Sequence, residues 1–268
     1  MKFKSWVSPK HQLYEFKKKA HPYCVCIPVI NEGGRIQKQL LRMKKYTKLI
    51  DVLILDGGST DNSLEERFLK KCGVRAMLVK KESGYQSTQL RMGLFYAMKQ
   101  DYMGVIIVDG NGKDGLEQIP EFIKKLDLGF DYIQGSRFAK GGKAINTPFI
   151  RYYGNRLLIS PILSIPARFW FTDVTNGFRA CSRRYLLDPR LAPFRDVFIR
   201  YELLFYLPVR TKQIGFKIAE IPVVRKYPKN QEIPTKIRSF HGHFDLLLTA
   251  LKVAFGVYNP ATNLKDPD

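Results

Sequence analysis

Asp51-Val52-Leu53-Ile54-Leu55-Asp56-Gly57-Gly58-Ser59-Thr60-Asp61 is a short apolar run that ends on a carboxylate and breaks into a glycine turn. An apolar run of that length, bounded by turn residues, predicts a strand buried on both faces, the kind found in parallel sheets. The pattern recurs along the chain. Residues 23–29 run apolar into Asn31-Glu32, and residues 105–108 run into Asp109-Gly110-Asn111. Residues 74–79 and 132–134 read as further strands. Between them, residues 33–46, 62–71, 86–99 and 116–126 carry helical spacing. Strands alternating with helices predict an α/β fold: a mainly parallel, Rossmann-like sheet sandwiched by helices. In such sheets ligands bind outside the carboxyl ends of the strands. The loops to inspect are therefore 28–32, 56–61 and 109–114.

Each loop has two readings on its own. Asp56, fixed at a strand end, suits hydrogen bonds from a nucleobase or ribose, while D-G-G-S-T-D is also ordinary turn chemistry in which Ser59 or Asp61 caps the next helix. Asp109 and Asn111 place two oxygens two residues apart, enough for Mg²⁺ or Mn²⁺, which often take only one or two protein ligands. Asp-Gly-Asn-Gly is equally turn-prone.

Taken in order, the loops resemble the family-two glycosyltransferases of the GT-A fold, closest to the dolichol/polyprenyl-phosphate mannose synthase-like branch. The resemblance runs over residues 22–240. It rests on Pro28-Val29-Ile30-Asn31-Glu32, Asp56–Asp61, Asp109-Gly110-Asn111, Gly135-Ser136-Arg137 and Asp173-Val174-Thr175-Asn176-Gly177-Phe178-Arg179. It implies a nucleotide-sugar donor, held at base and ribose by Pro28, Asn31, Glu32 and Asp56, in the loop that includes Ser59 and Asp61. It implies that Asp109 and Gly110 meet the diphosphate, with a divalent cation on Asp109 and Asn111. Asp109, Asp173 and Arg137 are then the catalytic candidates. Asn176 and Arg179 line the acceptor side, and Arg225 and Lys236 belong to a late basic loop that closes over phosphate. Two departures matter. Asn111 stands where the family has a second metal-site Asp, and Lys113 where a Gln is frequent. Lys113 could itself neutralise a diphosphate, so metal dependence is left open.

The second half interleaves aromatic residues with arginines and prolines, and reads as a helical and loop acceptor region with a short strand near residues 216–224. The organisation expected is a basic extension over residues 1–21, the transferase domain over 22–240, and an amphipathic helix and tail over 241–268. A phosphate monoester acceptor needs cations rather than a strong base. A sugar hydroxyl acceptor would need a carboxylate base, with Asp173 or Asp114 available. The arginines favour a lipid phosphate, and transfer to a hydroxyl of a glycan or lipid-linked saccharide is the alternative.

The 268 residues carry 45 Lys plus Arg against 24 Asp plus Glu, a net charge of +21. Such a field attracts polyanions, including anionic membrane surfaces. A basic nucleic-acid-binding protein on a degenerate fold fits the charge but not the motifs. No run reaches the roughly 18 to 20 apolar residues of a membrane span. The N-terminus lacks the apolar stretch of a signal peptide. The expected location is cytoplasmic, peripheral to the inner membrane face. In residues 243–257, Phe244, Leu247, Leu248, Leu251 and Phe255 recur at helical spacing, as in a helix lying in a bilayer interface or one packed on the domain. Cys24, Cys26, Cys72 and Cys181 lack metal spacing and read as reduced thiols. The four histidines lie outside the donor motifs.

Overall fold

The computed structural model describes residues 6–229 and 240–261. Among the described residues the strands are β1 (His11–Glu15), β2 (Tyr23–Val29), β3 (Asp51–Asp56), β4 (Ala76–Lys80), β5 (Gly104–Ile107), β6 (Tyr132–Ser136), β7 (Lys143–Ile145), β8 (Arg179–Ser182), β9 (Ile218–Pro222) and β10 (Val224–Lys226). The helices are α1 (Gly34–Met43), α2 (Glu66–Lys71), α3 (Gln86–Lys99), α4 (Ile119–Asp127), α5 (Phe149–Gly154), α6 (Ser160–Ala167), α7 (Arg183–Leu186), α8 (Glu202–Gln213) and α9 (Phe240–Ala254). Eight strands form one sheet in the order β1-β4-β3-β2-β5-β8-β6-β9, and β7 pairs with β10 in a small second sheet.

The alternation of side chains in β2 shows why both sheet faces are covered. Cys24 and Cys26 point into one core with Leu53, Leu55, Val105 and Ile107. Val25 and Ile27 point into the other with Val52, Ile54 and Ile106. The first core lies under α3 and α8, the second under α1 and α4. Helix α3 fits close to the sheet. A Cβ on Gly93 would stand 2.4 Å from the Leu55 methyl groups, so only glycine lets the helix approach there. All four cysteines are free and buried.

Three features differ from the sequence reading. Helix α2 starts at Glu66, not at residue 62, because Asp61 Oδ1 accepts hydrogen bonds from the Ser63 N–H and hydroxyl and holds the segment as a turn. Asp61 therefore braces the loop rather than capping a helix. Residues 11–15, read as part of a basic extension, form an edge strand antiparallel to β4. Arg75 ties this edge down, bonding Glu15 at 3.3 Å, Gln100 at 2.7 Å and Tyr96 at 2.7 Å. Strand β8, in the half read as helical and loop, runs antiparallel between β5 and β6.

That last strand places the site. Parallel strands β5 and β6 end at the carboxyl edge of the sheet, and an antiparallel strand between them must begin there. Arg179 accordingly pairs across to Ile107 and Gln134. The segment just before it, Asp173–Phe178, is thereby delivered to the loop that follows β5.

Candidate active site

A cavity of about 630 Å³ opens at the carboxyl ends of the central strands. Of the residues singled out in the sequence, Pro28, Glu32, Asp109, Gly110, Asn111, Arg137 and Arg225 line it. Asp56, Asp173, Asn176 and Arg179 are buried outside this lining, and Asn31, Ser59 and Asp61 lie outside it nearer the surface. Lys236 lies outside the described residues.

Asp56, Ser59, Asn31 and Asp61 lace two loops together. Asp56 Oδ1 accepts from the Ser59 N–H at 2.9 Å and its hydroxyl at 2.6 Å. Ser59 in turn accepts from the Asn31 N–H at 3.1 Å, and Asn31 Oδ1 accepts from the Thr60 N–H at 2.8 Å. Asp61 Oδ2 accepts from the Gly33 N–H at 2.7 Å. These bonds hold Asn31 in the left-handed region at φ 48°, a conformation costly for most residues with a side chain and tolerated better by Asn. Gln89, from α3, donates to the backbone carbonyls of Val29 and Leu55, fixing the exits of β2 and β3 against each other.

The loop after β5 is held by charge. Arg225 donates to Asp109 Oδ2 at 2.9 Å, to Asp114 Oδ1 at 2.6 Å and to Asn176 Oδ1 at 3.3 Å. Its backbone is zipped to the same loop. The Gly115 N–H donates to Val224 O and the Lys226 N–H to Lys113 O, each at 2.8 Å. Gln86 adds a bond to Asp109 Oδ1 at 3.3 Å. Gly177 sits so close that a Cβ there would meet Asp109 Oδ1 at 2.5 Å, which explains glycine at that place in the Asp173–Arg179 element. Lys113 Nζ stands 5.0 Å from the centre of the Tyr227 ring, and both line the cavity with Arg137 and Arg151.

Electrostatics follow from this crowding. Burial raises the Asp109 carboxyl, but the Arg225 and Lys113 charges outweigh it and leave Asp109 below the usual carboxylate range. Asp114 is pushed up by burial, with Arg225 opposing. Burial, reinforced by repulsion from Arg225, brings Lys113 down to about 8. Tyr227 is lowered to about 7: burial raises it, and Arg225, Arg137, Lys113 and Arg151 together overcome burial. Tyrosine in the ring of cations, along with Lys80 and Gln86 in the wall, carried no distinct sequence signal, because each comes from a different element.

Arg137 and Asp173 close on each other. The guanidinium donates to Asp173 Oδ2 at 2.6 Å and Oδ1 at 2.8 Å, and the Arg137 N–H adds a third bond at 3.1 Å. Asp173 is fully buried. Thr172 and Asp173 rest on Glu220 from β9. Arg179 is likewise enclosed, donating to the carbonyls of Leu204 and Asn176. Neither Asp173 nor Arg179 presents a group to the cavity.

Among the described residues, no group of three or more His, Cys, Asp and Glu could hold a metal ion. The two sequence candidates, Asp109 and Asn111, fit a divalent cation poorly. Asp109 Oδ2 carries Arg225. The Asn111 oxygen accepts the Lys113 N–H at 3.3 Å while its NH₂ turns 3.5 Å from Asp109 Oδ2, the amide orientation being the one this bonding pattern selects. Asp114 Oδ2 is enclosed without a hydrogen-bond partner, but Asp114 is not part of the cavity wall.

No protein-family model matches the chain. In sequence it is 24% identical over 209 residues to the polyprenol monophosphomannose synthase of Mycolicibacterium smegmatis, covering 74% of this chain and 75% of that protein. It is 26% identical over 216 residues to the dolichol-phosphate mannosyltransferase of Pyrococcus furiosus, covering 78% of this chain and 54% of that protein. It thus spans about half the length of the second relative. In structure it resembles glucosyl-3-phosphoglycerate synthase from Mycobacterium tuberculosis in complex with Mn²⁺, UDP and phosphoglyceric acid. The TM-score is 0.63 at 16% identity, over 90% of this chain and 80% of that one. The same enzyme with Mg²⁺ and UDP gives 0.63 at 17%, over 90% and 80%. The chain has the GT-A fold, and the curated relatives it matches are glycosyltransferases.

Proposed function

We propose that this chain is an inverting glycosyltransferase that moves a sugar from a nucleotide-diphosphate donor to a polyprenyl phosphate at the cytoplasmic face of a membrane. One observation carries the reading. A single cavity runs from the strand-exit loops at Pro28, Glu32 and Asp109 to the apolar side chains Ile150, Leu158 and Phe244, which are themselves exposed. An acceptor with a charged head and an apolar chain needs polar and apolar walls that adjoin. The named activities of the two sequence relatives point the same way.

Pro28 and Glu32 meet base and ribose in this reading, with Asn31, Asp56, Ser59 and Asp61 bracing their loops. Asp109 and Gly110 flank the diphosphate. Arg225 and Lys236 serve phosphate. Arg137, Asn176 and Arg179 shape the acceptor wall, and Asp173 positions Arg137. In the reaction an acceptor phosphate oxygen bonds to the anomeric carbon as the bond from that carbon to the diphosphate oxygen breaks. The nucleoside diphosphate leaves with the electron pair, and one displacement inverts the centre.

The wall chemistry favours a phosphate over a hydroxyl. A hydroxyl acceptor needs a general base within hydrogen-bond reach. The carboxylates in the described wall are Glu32 and Asp109, both on donor loops, while Asp173 and Asp114 lie outside it. The mouth also supports a membrane surface as partner. Ile150 and Leu158 in the wall are exposed, and so are their chain neighbours Phe149 and Leu157, with Arg151 and Arg156 beside them in the chain. Among the described residues, no helix is long and apolar enough to cross a membrane.

The test is incubation with radiolabelled UDP-, GDP- and CDP-sugars and a short polyprenyl phosphate. A butanol-extractable labelled product is expected with one donor. Its absence across the panel overturns the reading, and label passing only to a free saccharide establishes the hydroxyl alternative.

A further inference from the structure

The fold neighbours hold UDP together with Mn²⁺ or Mg²⁺. In this chain two cations, Lys113 and Arg225, stand at the loop after β5. Mg²⁺ and Mn²⁺ need oxygens with open lone pairs. At the exit of β5, Asp109 Oδ2 is taken by Arg225 at 2.9 Å and Oδ1 by Gln86 at 3.3 Å, and the Asn111 oxygen is turned onto the Lys113 N–H. Arg225 does not merely neutralise Asp109. Asp114 and Asn176 grip the same guanidinium, and β10 pairs with β7 on one side and bridges Asp114 on the other. The guanidinium is therefore fixed in direction before a ligand arrives, as an electrostatic site requires.

Lys113 stands on the same loop, buried, in the same cavity wall. The wall carries Lys80, Lys113, Arg137, Arg151 and Arg225 against Glu32 and Asp109, a surplus of positive charge. A diphosphate would lower the energy of that arrangement. A divalent cation entering alone would raise it, because like charges repel strongly in a poorly solvated site. A compact ammonium and a planar guanidinium are both suited to phosphate oxygens.

We propose that Lys113 and Arg225 hold the donor's diphosphate directly, and that nucleotide binding by this chain needs no divalent cation. The inference rests on the nucleotide-sugar reading above and adds how the charge is met.

The probes are UDP, GDP and CDP, titrated calorimetrically into the full chain in EDTA and, separately, in Mn²⁺ and in Mg²⁺. One nucleotide is expected to bind in EDTA with a Kd within about threefold of its value with metal, and K113Q is expected to weaken that binding at least about tenfold, the loss of one charge-assisted contact. K113R should retain most of it, and thermal unfolding of both variants should match the parent, separating binding from folding. Binding that vanishes in EDTA and returns with Mn²⁺ or Mg²⁺ overturns the inference while leaving the nucleotide-sugar reading standing. Unchanged binding by K113Q overturns the role of Lys113. Binding of no nucleotide under any condition overturns the nucleotide-sugar reading, and this inference with it.

Discussion

Arg137 reaches across 36 residues of chain to close on the Asp173 carboxylate. Both ends of that pair are buried, and removing one partner of a buried pair leaves the other charged and uncompensated. The D173N variant should therefore lose stability, by about 3–5 kcal/mol, measured by chemical denaturation. A D173N protein as stable as the parent but without turnover would instead restore Asp173 as a base. The sequence marked both residues through their motifs, but could not show that each is the other's partner. Tyr227 makes a second residue-scale prediction. Its hydroxyl is lowered to about 7 from 10.0, because the Arg225, Arg137, Lys113 and Arg151 charges overcome its burial. The fold thus favours the ionised form. That contribution to stability is complete above the unfolded value near 10 and is lost as pH falls towards 7. Tyrosinate absorbance should rise near pH 7 in the parent and lack that early step in Y227F, whose unfolding temperature should also gain less between pH 7 and 10. An unchanged titration in Y227F would show that another group responds.

Helix α9 shows what an element's periodicity can and cannot tell. Its apolar spacing suited either an interfacial helix or a packed one. In the fold it packs on α6 and α8, burying Ala250 and Val253. Phe244, Leu248 and Phe255 remain outside, with Phe255 83% exposed. V253D should cost several kcal/mol, since it buries an unpaired charge. F255S should shift stability by no more than about 0.5 kcal/mol and should reduce co-sedimentation with anionic vesicles. Equal stability losses in the two variants would contradict this division of the helix. Strand β8 was illegible for a different reason. Four residues, Arg-Ala-Cys-Ser, carry too little pattern to separate strand from loop, and their pairing partners lie far away in sequence. Residues 149–167 are helical throughout, α5 and α6 being joined by a π-helical turn over Asn155–Ile159. Pro161 follows directly on that π-helical turn, and Pro166 lies in the last turn of α6.

Across the whole molecule the charge is +21, while the apolar mouth is local. If the chain works at an anionic surface, the charge supplies long-range attraction and the mouth supplies contact. Binding to anionic vesicles should fall steeply between low and physiological salt, where the screening length shrinks to about 8 Å, and L157D should weaken it at every salt concentration. Salt-independent binding, or L157D binding like the parent, would remove the surface from the proposal. By itself the sequence determined the alternating α/β layers, the carboxylates at successive strand ends and the order of the motifs. Those follow from periodicity and turn chemistry within short windows. Only the tertiary structure decided which motif residues face the cavity and which brace it from behind, and that Arg225 rather than an open space stands on Asp109. Such contacts join residues more than a hundred positions apart. They depend on an antiparallel strand and a two-stranded zipper, whose pairings no local pattern specifies.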